Sequence, residues 1–144
     1  MEDYLIRVLQ LSKEGLSCSQ ILMQLALEAR GESNPALVRS MAGLAYGYGQ
    51  GHGDCGVLTG ACCVLALYSG TASSPKPQSE KMPLMLQELT DWFDARVAAR
   101  HGGKTCEIIV GEAGPTASRQ KCGTILMETY AKVLNILEAH GFSE

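Results

Sequence analysis

The sequence predicts an all-α fold, a single-domain bundle of about five to six helices around a buried central helix at about 56–69. Three observations carry this expectation. Apolar residues recur at three- and four-residue spacing over most of the chain. Glycine, proline and capping residues punctuate it at helix-length intervals. No pair of alternating segments joined by a hairpin turn occurs. The 144 residues are the usual length of one domain, and such a chain buries roughly 68–70% of its unfolded surface. The fold therefore needs neither metal nor disulfide to exist, which leaves the cysteines free for chemistry.

The first helix carries Tyr4, Leu5, Val8 and Leu9 as one stripe, and Gly15 closes it. Ser17-Cys18-Ser19-Gln20 has capping-box spacing and starts a second helix, whose apolar face includes Cys18, Leu22, Leu25 and Ala26. Gly31 ends it. Ser33 or Asn34, followed by Pro35, starts a third, with Leu37, Met41, Leu44 and Ala45 on one face. Gly47 to Gly56 reads Gly-Tyr-Gly-Gln-Gly-His-Gly-Asp-Cys-Gly. So much glycine costs conformational entropy, so the segment reads as a loop that needs left-handed turns or close approach. It lacks the lysine and Ser/Thr of a phosphate loop, and no strand precedes it to support a dinucleotide fingerprint.

Val57 to Tyr68 is almost uniformly apolar, which suits a helix buried on all sides, ended by Gly70. Thr71 to Lys81 is a surface loop. Pro83 starts the next helix, with Met85, Leu86, Leu89, Trp92, Phe93 and Val97 inward, and Gly102-Gly103 stops it. Thr105-Cys106-Glu107 opens one short turn, and Gly111 to Arg119 is a second loop. The last helix spans about Gln120 to His140, with Leu126, Tyr130, Val133 and Leu137 inward.

The net charge is −3 with both signs mixed along the chain. That excludes the electrostatic footprint of a nucleic-acid binder, and no basic amphipathic stretch marks a membrane surface. The longest apolar run is shorter than the roughly 20 residues a bilayer requires. Met1-Glu2-Asp3-Tyr4 lacks the basic start of a signal peptide. The expected compartment is thus cytoplasmic, where thiols stay reduced and sets of cysteines read as metal or redox sites.

Six cysteines are present: Cys18, Cys55, Cys62, Cys63, Cys106 and Cys122. No Cys-x-x-Cys occurs, which removes thioredoxin-type and zinc-ribbon motifs, and no Cys-x-x-Cys-His occurs, so no covalent haem is encoded. Cys18, Cys55 and Cys106 follow Ser17, Asp54 and Thr105, each a good N-cap residue. The expectation is three cysteines in first helical turns, where the helix dipole stabilises thiolate and lowers the thiol pKa. Cys122 stands near the start of the last helix beside Lys121 and Arg119, with the same consequence. These four are the candidate metal-binding or redox-active residues. Cys62 lies seven residues after Cys55 on the same face and is an accessory candidate; Cys63 reads as core packing. His52, three residues before Cys55, is either an accessory proton donor or a solvated loop histidine. Gly51, Gly53 and Gly56 form the loop through which backbone would approach a cofactor.

Cys18 within Ser-Cys-Ser-Gln, the glycine-rich run, Cys55-Gly56-Val57-Leu58-Thr59-Gly60-Ala61, and then Cys106 and Cys122 together resemble the redox-active family labelled C_GCAxxG_C_C after its cysteine spacing. The resemblance covers about residues 15 to 140. The label places glycine before and alanine after its second cysteine; here Asp54 and Gly56 stand there, and Gly60 falls one step later. The resemblance implies a helical domain with a redox role. A related domain in split-Soret cytochromes carries an iron–sulfur centre beside haem. Without a haem motif, only the iron–sulfur part carries over, to Cys18, Cys55, Cys106 and Cys122.

Several chemistries remain open at this point. The first is an iron–sulfur cluster on the four thiolates, exchanging electrons with a redox partner protein. The second is a metal-free thiol–disulfide couple, with Cys106 and Cys122 brought together by their loop, or with Cys55 attacking and Cys62 or Cys18 resolving. A structural zinc site is the third, although the close ligand pairs usual for zinc are missing. The last is a helical interaction protein with incidental cysteines. Of assemblies, a homodimer is favoured by general frequency alone.

Overall fold

The computed structural model describes residues 2–72, 78–111 and 119–142, without the side chains of residues 2, 3 and 119–121. The first helix, α1, spans Glu2–Lys13. Its inward stripe is Tyr4, Val8 and Leu11, and the Tyr4 ring meets Tyr130 edge-on at 5.2 Å. This corrects the expected stripe: Leu5 and Leu9 are 47% and 55% exposed. The helix lies at the edge of the bundle and is covered along one narrow line, so it buries fewer of its apolar positions than periodicity alone suggests.

Helix α2 is Cys18–Ala29, and Gln20 Oε1 accepts the Ser17 N–H at 3.0 Å, as the capping box predicts. Helix α3, Pro35–Ser40, takes Asn34 rather than Ser33 as its cap; the Asn34 side chain accepts the Leu37 N–H at 3.1 Å. A 3₁₀ turn, Met41–Leu44, continues it and buries Met41. Helix α4, Gly56–Ser69, occupies the predicted span. It packs against α2, the 3₁₀ turn, α5 (Lys81–Phe93) and α7 (Arg119–Ala139). One flank, with Cys62, Cys63, Leu67 and Tyr68, is only half-buried.

Helix α5 starts two residues before Pro83, where Ser79 Oγ accepts the Lys81 N–H at 3.2 Å. It runs on through a π-turn at Asp94–Ala98 into Ala99–His101 and stops at Gly102, whose φ is +84°. Met85, Leu89, Phe93 and Val97 are all fully buried. Helix α6 is the expected short turn, Cys106–Val110. In α7 the four predicted inward residues Leu126, Tyr130, Val133 and Leu137 are buried with Ile125 and Ile136.

One contiguous core joins these helices. Among the described residues no strand forms, and the fold is all-α, with seven helices because the short α6 counts as one. Among them, too, no helix is long and apolar enough to cross a membrane. Most of the two predicted surface loops, residues 73–77 and 112–118, lies outside the described residues, as do the side chains of Arg119 and Lys121.

Candidate redox site

Close helix crossing brings the start of α2 to α4. A Cβ added at Gly60 would lie 2.9 Å from Ser19 Cα and 3.3 Å from Leu22 Cδ1, so only glycine lets the two backbones approach this closely. Ser19, fully buried, donates its hydroxyl to the Met41 carbonyl at 2.8 Å. The adjacent Cys18, first residue of α2, is therefore fixed against the central helix.

Cys55 and Cys106 are brought together by a backbone clasp. Asp54 and Thr105 form an isolated antiparallel bridge. The Cys55 N–H donates to the Lys104 carbonyl at 2.8 Å, and the Cys106 N–H donates to the Gly53 carbonyl at 3.0 Å. Thr105 also caps α6, its Oγ1 accepting the Ile108 N–H at 3.3 Å. Cys106 is the first residue of α6, as expected. Cys55 departs from expectation: it is itself the cap of α4, because Asp54 is engaged in the bridge.

The glycine-rich segment folds back on itself. Tyr46, Gly47, Tyr48 and Gly49 all have left-handed φ, between +57° and +85°. Gly53 N–H donates to the Gly47 carbonyl at 3.3 Å, and a Cβ at Gly47 would come within 2.6 Å of Gly53 O. A Cβ at Gly53 would collide with the Tyr48 ring. Gly51, at φ +85°, lies against Glu107, and Gly56 lies against the Leu44 carbonyl. Close contacts within the chain favour glycine at Gly53 and Gly56, and the left-handed φ favours it at Gly51.

The four thiols sense one another. Cys18 is hydrogen-bonded to Cys122, and that bond, burial and the neighbouring Cys55 and Cys106 push its pKa well above the usual thiol value. Burial pushes Cys55 up to about 11; the amides of Val57 and Leu58 pull it down, while Cys122 and Cys106 add to the rise. Burial and Cys122 raise Cys106. At Cys18, Cys55 and Cys106 these directions correct the expectation of lowered pKa values. The helix-end effect is present at Cys55, through Val57 and Leu58, but desolvation outweighs it.

Cys62 is also pushed up to about 11, by burial and then by Cys63 and Asp54, and none of the four candidate site cysteines contributes to that rise. His52 is on the surface, its Nδ1 2.8 Å from Glu107 Oε2 with 78% of its side chain exposed. No disulfide joins the cysteines. Among the described residues, no three or more His, Cys, Asp or Glu side chains are arranged to hold a single metal ion.

A cavity of about 140 Å³ opens beside Cys18 and Cys122, with Ser12, Ser17, Ile21 and Tyr46 among its lining residues. Sequence reasoning missed Tyr46. Its only distinguishing signal is a left-handed φ, which a tyrosine in a glycine-rich run does not announce.

Comparison with curated proteins and with solved structures returns no match. The family described as "Putative redox-active protein (C_GCAxxG_C_C)" matches residues 16–136, a span that contains Cys18, Cys55, Cys106 and Cys122. The chain therefore belongs to the C_GCAxxG_C_C family of redox-active proteins.

Proposed function

We propose that Cys18, Cys55, Cys106 and Cys122 hold an iron–sulfur cluster and that the protein transfers electrons. One observation carries this reading: ionisation of Cys18, Cys55 and Cys106, from three separate segments, is opposed in each case by Cys122, from a fourth. Protonated thiols do not ligate metal. Ionising several adjacent buried sulfurs is unfavourable until a cation stands among them, when coordination removes the protons outright. Structural zinc draws its ligands to a single point and usually takes them as closely spaced pairs, which the sequence lacks. A [4Fe–4S] cluster meets each thiolate at a different iron and a [2Fe–2S] cluster takes two thiolates at each of two irons, so neither draws all four ligands to a single point.

Bound there, the cluster would supply a redox centre of the four-thiolate type. The chain's own contribution is placement and tuning. The Asp54–Thr105 bridge and the Gly60–Ser19 contact hold three of the four segments in register. The Val57 and Leu58 amides, directed at the Cys55 sulfur, would raise the reduction potential by hydrogen bonding. Cys55 and Cys106 are buried, whereas Cys18 and Cys122 are half-buried beside the cavity. Electron exchange with a partner protein would therefore use the Cys18–Cys122 side. A cytoplasmic, reducing setting belongs to this proposal, since it keeps the thiols available.

Iron and acid-labile sulfide analysis of protein purified without oxygen tests the reading. The expected result is brown protein with roughly two to four irons per chain and matching sulfide. Colourless protein without iron, or zinc without sulfide, would overturn it.

A further inference from the structure

We infer that in the metal-free protein Cys18 and Cys122 form a reversible disulfide, and that the cavity beside them admits small uncharged disulfides as the oxidant. One geometric observation and one electrostatic one carry this. The two cysteines come from opposite ends of the chain yet line the same cavity, and Cys122 is the neighbour that acts most strongly on the Cys18 thiol. Cys55 and Cys106, by contrast, are buried and are not among its lining residues. The pairing differs from every couple that chain proximity suggests, which would join Cys106 to Cys122 across their short loop or Cys55 to Cys62 along one helix.

The lining chooses the oxidant. Val8, Leu16, Ile21 and Leu126 supply its apolar share, Ser12 and Ser17 offer hydroxyls, and among the described residues no charged side chain lines it. Its volume of about 140 Å³ is close to that of the roughly 150 Å³ cavity that holds a benzene-sized guest. A compact dialkyl disulfide suits that space, whereas a large, charged peptide disulfide does not. Tyr46 stands in the wall at φ +57°, a backbone state that costs a non-glycine residue on the order of 1 kcal/mol or more. It is the largest side chain among the lining residues.

The exchange balances without a metal. The thiolate of one cysteine attacks the small disulfide, forming a mixed disulfide and releasing one small thiolate. The second cysteine, as thiolate, attacks the mixed disulfide at the protein sulfur and releases the other small thiolate. The protein gives up two protons and two electrons, and the small disulfide becomes two thiols. Because both sulfurs are also proposed cluster ligands, the disulfide and the cluster exclude each other. The inference itself is read on metal-free protein and does not depend on the cluster.

The test exposes reduced, metal-free protein to 2-hydroxyethyl disulfide, quenches with an alkylating agent and maps the bridge by peptide mass spectrometry. A Cys18–Cys122 bridge with the other four cysteines alkylated is expected. A different dominant pair, or mixed disulfides that never close, would overturn the pairing. Rates with 2-hydroxyethyl disulfide and glutathione disulfide, each divided by its rate with urea-unfolded chain, test the cavity. The smaller oxidant should be favoured at least about tenfold, and Tyr46→Gly should shrink that ratio. Equal normalised rates in the native protein would overturn the selection by the cavity. Iron analysis of the same preparation before metal removal reports separately on the cluster.

Discussion

Gly60→Ala perturbs the contact that seats α2, and with it Cys18, on the central helix. In an unobstructed helix interior the change would stabilise by about 0.5–1 kcal/mol, because alanine loses less backbone entropy on folding. Here the new Cβ would sit 2.9 Å from Ser19 Cα and 3.2 Å from Ser19 Cβ. Ser19 Cα is backbone and cannot rotate away, so the helices must part, and overpacking of this kind costs typically 1–3 kcal/mol. The buried Ser19–Met41 hydrogen bond at 2.8 Å resists that movement. The net expectation is a loss of about 1 kcal/mol. Urea titration of the reduced, metal-free protein reads it as a midpoint lowered by roughly 0.5 M at unchanged slope. A variant as stable as the parent, or more stable, would refute the claim that Gly60 is required by helix approach.

Three further outcomes are expected. The reduced, metal-free protein should lose stability as pH rises from about 9, where an unfolded thiol ionises, to about 11, where Cys55 does. In that window the folded state holds the proton that the unfolded state has released, and Cys55 alone accounts for roughly 2–3 kcal/mol. Urea midpoints measured across the window check this, and a flat profile would contradict the burial assigned to Cys55. Thr105→Ala removes the cap of α6 and should cost about 1 kcal/mol, with Thr105→Ser restoring most of it in the same titration. His52→Ala breaks only an exposed ion pair, worth about 0–1 kcal/mol, so both the urea midpoint and the iron content should stay close to the parent; lost iron would bring His52 into the site.

Short-range chemistry was readable from the sequence. The capping box at Ser17 and Gln20, the Asn34-Pro35 start, the apolar run of α4 and the α5 stripe each depend on residues within a turn or two. The misreadings share one cause, a partner far away in the chain. Asp54 has the composition of a cap, but its pairing with Thr105 gives that role to Cys55. Helix ends argue for acidic thiols, but burial by distant elements reverses the direction at Cys55 and Cys106. Leu5 and Leu9 share a stripe with Val8 on paper, while the neighbours of α1 cover only the Tyr4–Val8–Leu11 line. The π-turn at Asp94–Ala98 has no marker in its residues. Cys122 is legible from its place near the start of the last helix beside Arg119 and Lys121; its influence on Cys18 needs the fold.

The central claim is that four cysteines act as one centre and two do not. Iron and sulfide content of the six single cysteine-to-serine variants, each purified without oxygen and shown to be folded by circular dichroism, addresses it directly. Cys18→Ser, Cys55→Ser, Cys106→Ser and Cys122→Ser should each lose most of the iron, and Cys62→Ser and Cys63→Ser should retain it. Full iron in any of the first four, or loss in Cys63→Ser, would contradict the account.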